Sequence, residues 1–125
     1  MILGIGADLV EVSRIARLLE RYGERFAKRI LGPGEWEDYR ASANRERHLA
    51  SRFAAKEAFS KAFGTGLRAP VLLTHISVGH DALGRPTLEL SPELQALSKR
   101  RGIVAHHITL THERSIACAV VVLET

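Results

Sequence analysis

Arg52-Phe53-Ala54-Ala55-Lys56-Glu57-Ala58-Phe59-Ser60-Lys61-Ala62-Phe63-Gly64-Thr65-Gly66 is the stretch that decides how this chain folds. At about 100° per residue, Glu57 and Lys61 fall on one stripe together with Ala50, Phe53 and Ala54. The opposite side carries Ala55, Phe59 and Ala62, so the helix is apolar nearly all round. Such a helix belongs at the centre of a fold, and its charges are then expected among apolar neighbours. Gly64 supplies the left-handed residue that ends it, and Gly64-Thr65-Gly66 is expected to leave backbone amides free to approach a ligand. The turn is no P-loop, because the Gly-Lys-Ser/Thr signature is missing.

Two readings of the charges stand side by side. Glu57 and Lys61 are spaced as an i,i+4 ion pair, worth about 0.2 to 0.5 kcal/mol on an exposed face. Arg52 and Lys56, also one turn apart, repel each other unless an anion lies between them. On the second reading, two cations and a carboxylate beside Lys61 point to a metal and phosphates.

Working outward, 125 residues make one domain over residues 1–125, long enough for a core but short for a substrate cleft made by one subunit. With 46% hydrophobic and 26% charged residues, the composition is that of a soluble globular protein. No apolar run approaches the 18 or so residues that a membrane span needs, and the N-terminus lacks the features of a signal peptide. A cytoplasmic location with no membrane partner is the expectation. The single Cys118, in an apolar run, reads as a packed thiol. A net charge of +4 implies acidic partners: phosphates, an acidic protein or nucleic acid. One Trp, two Tyr and four Phe at core-like spacing show no platform for stacking bases.

Upstream, residues 2–7 read as a buried strand with Asp8 at its end, either a cap or a site residue. Gly4-Ile5-Gly6 is a weak match to a dinucleotide fingerprint, since the third glycine is absent. Ser13 is the expected N-cap of a helix with Ile15, Leu18, Leu19 and Tyr22 on its apolar face. Arg14, Arg17, Arg21 and, past Gly23, Arg25 form its other face, either solvated or a docking surface for an acidic partner helix. A helix over 34–42 with Trp36 and Tyr39 inward, and a polar loop over 42–47, lead into the central helix.

Downstream, residues 73–79 and 86–90 alternate as strands about a hairpin connection. Ser91-Pro92-Glu93 opens a helix that Gly102 ends. His107–His112 and Ile116–Leu123 read as paired strands, the last apolar on both faces and therefore central. The class is α+β, with an antiparallel sheet packed against a long central helix. Six histidines lack the spacing of a zinc site. His112, closing Thr109-Leu110-Thr111-His112, either pairs with a backbone carbonyl or meets phosphates.

Taken together, Gly4-Ile5-Gly6-Ala7-Asp8-Leu9-Val10-Glu11, the central Arg52–Lys61 segment and Thr109-Leu110-Thr111-His112 closely resemble holo-acyl-carrier-protein synthase, a family of small phosphopantetheinyl transferases. The resemblance runs through essentially the whole chain in order and spacing. Ala7, Thr109 and Thr111 depart from it, where family members more often carry a larger side chain and serines.

The resemblance implies transfer of 4'-phosphopantetheine from coenzyme A to a serine of an acyl carrier protein, releasing adenosine 3',5'-bisphosphate. Magnesium is the implied cofactor, with Asp8 and Glu57 as its ligands and Glu57 and Lys61 as the catalytic pair. Glu57, or a metal-bound water that it orients, would be the base. Arg52, Lys61, Gly64, Gly66, Pro86, Thr111 and His112 become coenzyme A contacts. Arg14, Arg17, Arg21 and Arg25 become the docking face for the acidic carrier protein. A homotrimer with sites between adjacent subunits is implied as well. The rival is a basic, non-catalytic nucleic-acid-binding module, motivated by the pI near 9.7.

Overall fold

The structure, a computed structural model, describes residues 1–125. Strand β1 (Ile2–Glu11) is longer than expected, and Asp8 lies within it, opposite Ala119, instead of at its end. The strand continues because Leu9, Val10 and Glu11 each find a partner in Cys118, Ala117 and Ile116. It passes directly into helix α1 (Val12–Tyr22), whose N-cap is Glu11 without a side-chain bond. Ser13 is therefore not the cap; the Val12 amide donates to the carbonyl of Ser115 at 2.8 Å instead.

Gly23, at φ +59°, separates α1 from a second helix, α2 (Glu24–Ile30), which the apolar spacing alone did not distinguish. In place of one helix over 34–42 there is a 3-10 turn at Pro33–Glu35 and a short α3 (Trp36–Ala41), with Tyr39 buried and Trp36 half-buried. Helix α4 (Arg45–Phe63) starts inside the expected polar loop. Asn44 caps it by accepting from the Arg47 amide at 3.0 Å, a signal the sequence does carry.

Strands β2 (Ile76–His80) and β3 (Pro86–Leu90) form the expected hairpin. Asp81 holds its turn, accepting from the Leu83 and Arg85 amides at 2.9 Å each. Helix α5 (Pro92–Arg100) is capped by the Ser91 hydroxyl, which accepts from the Leu94 amide at 3.2 Å. Strands β4 (Ala105–Glu113) and β5 (Ile116–Glu124) close the chain. The antiparallel strands divide into a three-stranded sheet, β1-β5-β4, and the two-stranded β2-β3. The α+β class holds, and β5 is the central strand, as its apolar run requires.

Helix α4 lies against the inner face of the larger sheet. Between Leu49 and Phe63 only Phe53, Glu57 and Lys61 escape burial. The seam with β1 is unusually close: a Cβ on Gly4 would lie 1.9 Å from the carbonyl oxygen of Ala62, and one on Gly6 2.0 Å from that of Ala58. The two glycines of Gly4-Ile5-Gly6 thus exist for strand-to-helix contact and not for a dinucleotide. The close approach sets Asp8, two residues beyond Gly6, beside the open line of α4.

Candidate functional site

Three charged groups meet at that seam. The Lys61 ammonium donates to the carbonyl oxygen of Ala7 and to Asp8 Oδ1, both at 3.0 Å. Its helix neighbour Glu57 is not its ion-pair partner, so the i,i+4 reading gives way to a contact 53 residues apart in sequence. Glu57 is one turn before Lys61 on the same open line, and it is part-buried. Burial pushes the Glu57 carboxyl above the usual carboxylate range; the charge of Asp8 pushes the same way, against Lys61 and Arg14. Two carboxylates on oxygen-rich ground, with one ammonium between the elements that carry them, make a place where added positive charge is favourable.

The expectation that Glu57 and Lys61 are enclosed among apolar side chains is corrected. Ala50 and Ala54 are fully buried, but the Lys61 side chain is 52% exposed. The enclosed charges are on the other side of α4. Lys56, with 0% exposure, pairs with buried Glu35 and donates also to the carbonyl of Ile30. Glu35 accepts in addition from the amides of Gly32 at 2.8 Å and Val78 at 3.0 Å. The anion that separates Lys56 from Arg52 is therefore protein-borne. Arg52 is buried too, donating to the Ser51 hydroxyl at 3.0 Å, and it does not join Asp8, Glu57 and Lys61.

Gly64 has the expected left-handed conformation, at φ +90°. Its amide, however, is not free for a ligand: it donates to the carbonyls of Ser60 and Lys61 at 3.1 Å, and the Gly66 amide donates to Ser60 at 3.3 Å. The glycines close the helix on itself. What they leave beside Lys61 is open space, since a Cβ on either would meet nothing within 4 Å.

The remaining expected contacts lie elsewhere on the chain. Pro86 lines a cleft of about 310 Å³ with Arg85, His106 and His107. Thr111 and His112 line another, of about 470 Å³, with Leu9, Ile116 and Cys118. A single chain brings neither cleft to Glu57.

All four arginines of the expected docking face are exposed. Arg14 stands over the Phe53 ring at 5.7 Å, linking α1 to the first member of the open line on α4. Between α1 and α2 runs a groove of about 400 Å³ with an apolar floor of Leu18, Tyr22 and Phe26, flanked by Arg25 and Arg29. Tyr22, expected in the core, is 46% exposed in this groove. Phe26 and Arg29 were not anticipated, because they come from α2.

Comparison with known proteins gives this geometry a family. The chain is 56% identical over 124 residues to the holo-[acyl-carrier-protein] synthase of Nitrosospira multiformis, with 99% of each chain covered. The crystal structure of the Neisseria meningitidis holo-[acyl-carrier-protein] synthase superposes with a TM-score of 0.97 at 42% identity, covering 100% of both chains. The Bacillus anthracis str. Ames holo-(acyl-carrier-protein) synthase, solved in complex with CoA (3',5'-ADP), superposes with a TM-score of 0.82 at 36% identity, over 100% of this chain and 98% of that one. The model of the 4'-phosphopantetheinyl transferase superfamily matches residues 4–121. The chain belongs to that superfamily, and Asp8, Glu57 and Lys61 all lie inside the matched span.

Proposed function

We propose that this protein transfers 4'-phosphopantetheine from coenzyme A to a serine hydroxyl of apo acyl carrier protein, releasing adenosine 3',5'-bisphosphate. The observation that carries the reading is the meeting of Asp8, Glu57 and Lys61 across the β1–α4 seam. The relatives support it: all three are named holo-acyl-carrier-protein synthase, and one of them was solved in complex with CoA (3',5'-ADP).

The residues present fit a magnesium ion held by Asp8 and Glu57. Both offer hard oxygen donors, and Glu57 carries a raised carboxyl partly because Asp8 faces it, a conflict that a divalent cation relieves. When bound, the metal supplies positive charge that steadies a pyrophosphate. The protein's own side chains do the rest. Glu57 is placed to take the serine proton as the hydroxyl oxygen forms its bond to the phosphorus bearing pantetheine. The bond from that phosphorus to the bridging oxygen breaks, and the electron pair leaves on adenosine bisphosphate. Lys61, held by Ala7 and Asp8 and half exposed, faces the growing negative charge.

The carrier protein is assigned to α1 and α2. Arg14, Arg17, Arg21 and Arg25 suit an acidic helix, and the Leu18, Tyr22 and Phe26 groove suits its apolar side. Nucleic acid has no use for such a groove, and family membership sets that rival aside. A homotrimer with shared sites belongs to the same proposal. The outer sheet face leaves Ile5 67%, Leu9 68% and Ile116 41% exposed, an apolar surface that a second copy would cover. Clefts that hold Pro86, Thr111 and His112 away from Glu57 in one chain are then available to a neighbour's Glu57. Arg52, Gly64 and Gly66 act in this scheme by shaping the helix and the turn that carry Lys61. A single-domain chain acting in the cytoplasm completes the proposal.

Intact-mass measurement of apo acyl carrier protein incubated with this protein, coenzyme A and magnesium tests the reading. The carrier is expected to gain one phosphopantetheine. No adduct on any acyl carrier protein tried would sink it.

A further inference from the structure

A line of side chains on α1 leads away from the site. Arg14, Leu18 and Tyr22 recur one turn apart, so they share a stripe about 12 Å long. At one end Arg14 stands over Phe53, which precedes Glu57 by one turn on the open line of α4. At the other, Leu18 and Tyr22 pass into the groove of about 400 Å³ that α2 completes with Arg25, Phe26 and Arg29. Gly23, at φ +59°, breaks the helix so that α2 can form the second wall.

The floor and the rim of this groove differ in chemistry. Leu18, Tyr22 and Phe26 supply apolar surface, and the Arg21 guanidinium steadies the Tyr22 ring at 5.4 Å from its centroid. Arg25 and Arg29, one turn apart on α2, are both exposed, and neither pairs with a carboxylate of this chain. The nearby acids are kept off the lining: Glu24 shares its stripe with Lys28, and Glu20 lies outside the groove. Two free cations at one-turn spacing beside an apolar floor complement an amphipathic helix with two carboxylates one turn apart and an apolar side chain between them. A groove walled by two helices receives a rod, whereas a flat bilayer would touch only its rim.

We propose that Arg29 is a further specificity-determining residue for the carrier protein. With Arg25 it reads a pair of acids on one carrier helix, about two turns from the acceptor serine, while an apolar residue of that helix enters over Tyr22 and Phe26. The distance follows from α1: a serine at Glu57 lies beside Arg14, and the groove opens along the same stripe toward Tyr22. The assignment rests on the carrier reading and deepens it, because an acidic protein without this spacing is then a poor substrate.

Steady-state transfer to apo acyl carrier protein at low and high salt tests the proposal with Arg29→Glu, Arg29→Lys and Tyr22→Ser. Relative to the unaltered protein, Arg29→Glu is expected to raise the KM for the carrier about threefold to tenfold at low salt and much less at high salt. Its KM for coenzyme A should move far less, and Arg29→Lys should stay near the unaltered protein. Tyr22→Ser should raise the carrier KM at both salt concentrations, because its contact is apolar. Exchanging one carrier acid about two turns from the serine for lysine should restore transfer by Arg29→Glu. An arginine that only stabilised the end of α2 would leave the carrier KM unchanged, or cause a loss that no such exchange restores; either result overturns the proposal. So does an altered sedimentation coefficient in Arg29→Glu or Tyr22→Ser, which gives the groove to a second copy. Binding to phosphatidylglycerol vesicles that Tyr22→Ser abolishes overturns it too, in favour of a lipid surface. If the unaltered protein modifies no carrier at all, the transferase reading itself falls, and Arg29 falls with it.

Discussion

The two sides of α4 carry the same chemistry to opposite ends. On the closed side, Lys56 and Glu35 are buried together and both are satisfied: Lys56 on Glu35 and Ile30, Glu35 also on the Gly32 and Val78 amides. On the open side, Asp8, Glu57 and Lys61 are left with a surplus of carboxylate, and Glu57 sits half-enclosed in a state that burial and Asp8 both oppose. Saturation marks a staple that ties α4 to the Pro33–Glu35 turn and to β2. Frustration marks a site, where a bound cation would supply the missing positive charge. The adjacent residues Lys56 and Glu57 face these two fates because a helix turns about 100° between them.

The contrast breaks first if the closed pair proves dispensable. Lys56→Met leaves the Glu35 carboxylate buried without its cation and should lower unfolding free energy by about 3 to 5 kcal/mol in urea titrations. Adding Glu35→Gln should restore part of the loss, since no unpaired charge is then buried and the one amide oxygen still accepts from either Gly32 or Val78. Lys61→Met on the open side should behave oppositely. Its melting temperature should stay close to that of the unaltered protein, while phosphopantetheine transfer falls about a hundredfold or more.

The seam that creates the open side offers the next test. Gly6→Ala drives a Cβ into the Ala58 carbonyl, so β1 must lift from α4, at a cost of about 1 to 3 kcal/mol. Because Asp8 rides on the same strand, transfer should drop further than the stability loss explains. Coenzyme turnover measured well below the melting temperature would show this.

A third prediction separates α1 from the site. Arg14→Glu with Arg21→Glu should raise the KM for carrier protein about tenfold or more and that for coenzyme A far less. Equal effects on both would remove these arginines from docking.

Much of this was legible in the chain. The Gly64 cap, the Ser91-Pro92 helix start and the central place of β5 each follow from local spacing. What was not legible is long-range pairing. Nothing near Lys56 announces that its anion is Glu35, 21 residues earlier, and so Arg52 and Lys56 looked like a phosphate site. Nothing in Gly4-Ile5-Gly6 says which backbone approaches it; only the contact with Ala58 and Ala62 does. Asp8 was singled out, but its setting inside β1 depends on a register with β5, more than a hundred residues away. The α2 half of the docking groove was hidden because Gly23 reads equally well as an end and as a hinge.

The smallest effect is also the sharpest statement of the difference between the two sides. Glu57 is raised above the usual carboxylate range, so its ionised form destabilises the fold at neutral pH. Glu57→Gln should therefore melt slightly higher than the unaltered protein, and the gap should close as pH falls through the folded pKa of Glu57 toward the ordinary carboxylate range. Glu35→Gln should melt lower at neutral pH, because it weakens a satisfied pair.

One measurement joins stability and function at Glu57. Intact-mass assay of apo acyl carrier protein with coenzyme A and magnesium, run for the unaltered protein and for Glu57→Gln alongside their melting curves, should show transfer reduced about 10²- to 10⁴-fold in a variant that melts no lower. A Glu57→Gln protein that modifies the carrier at the normal rate would contradict the account.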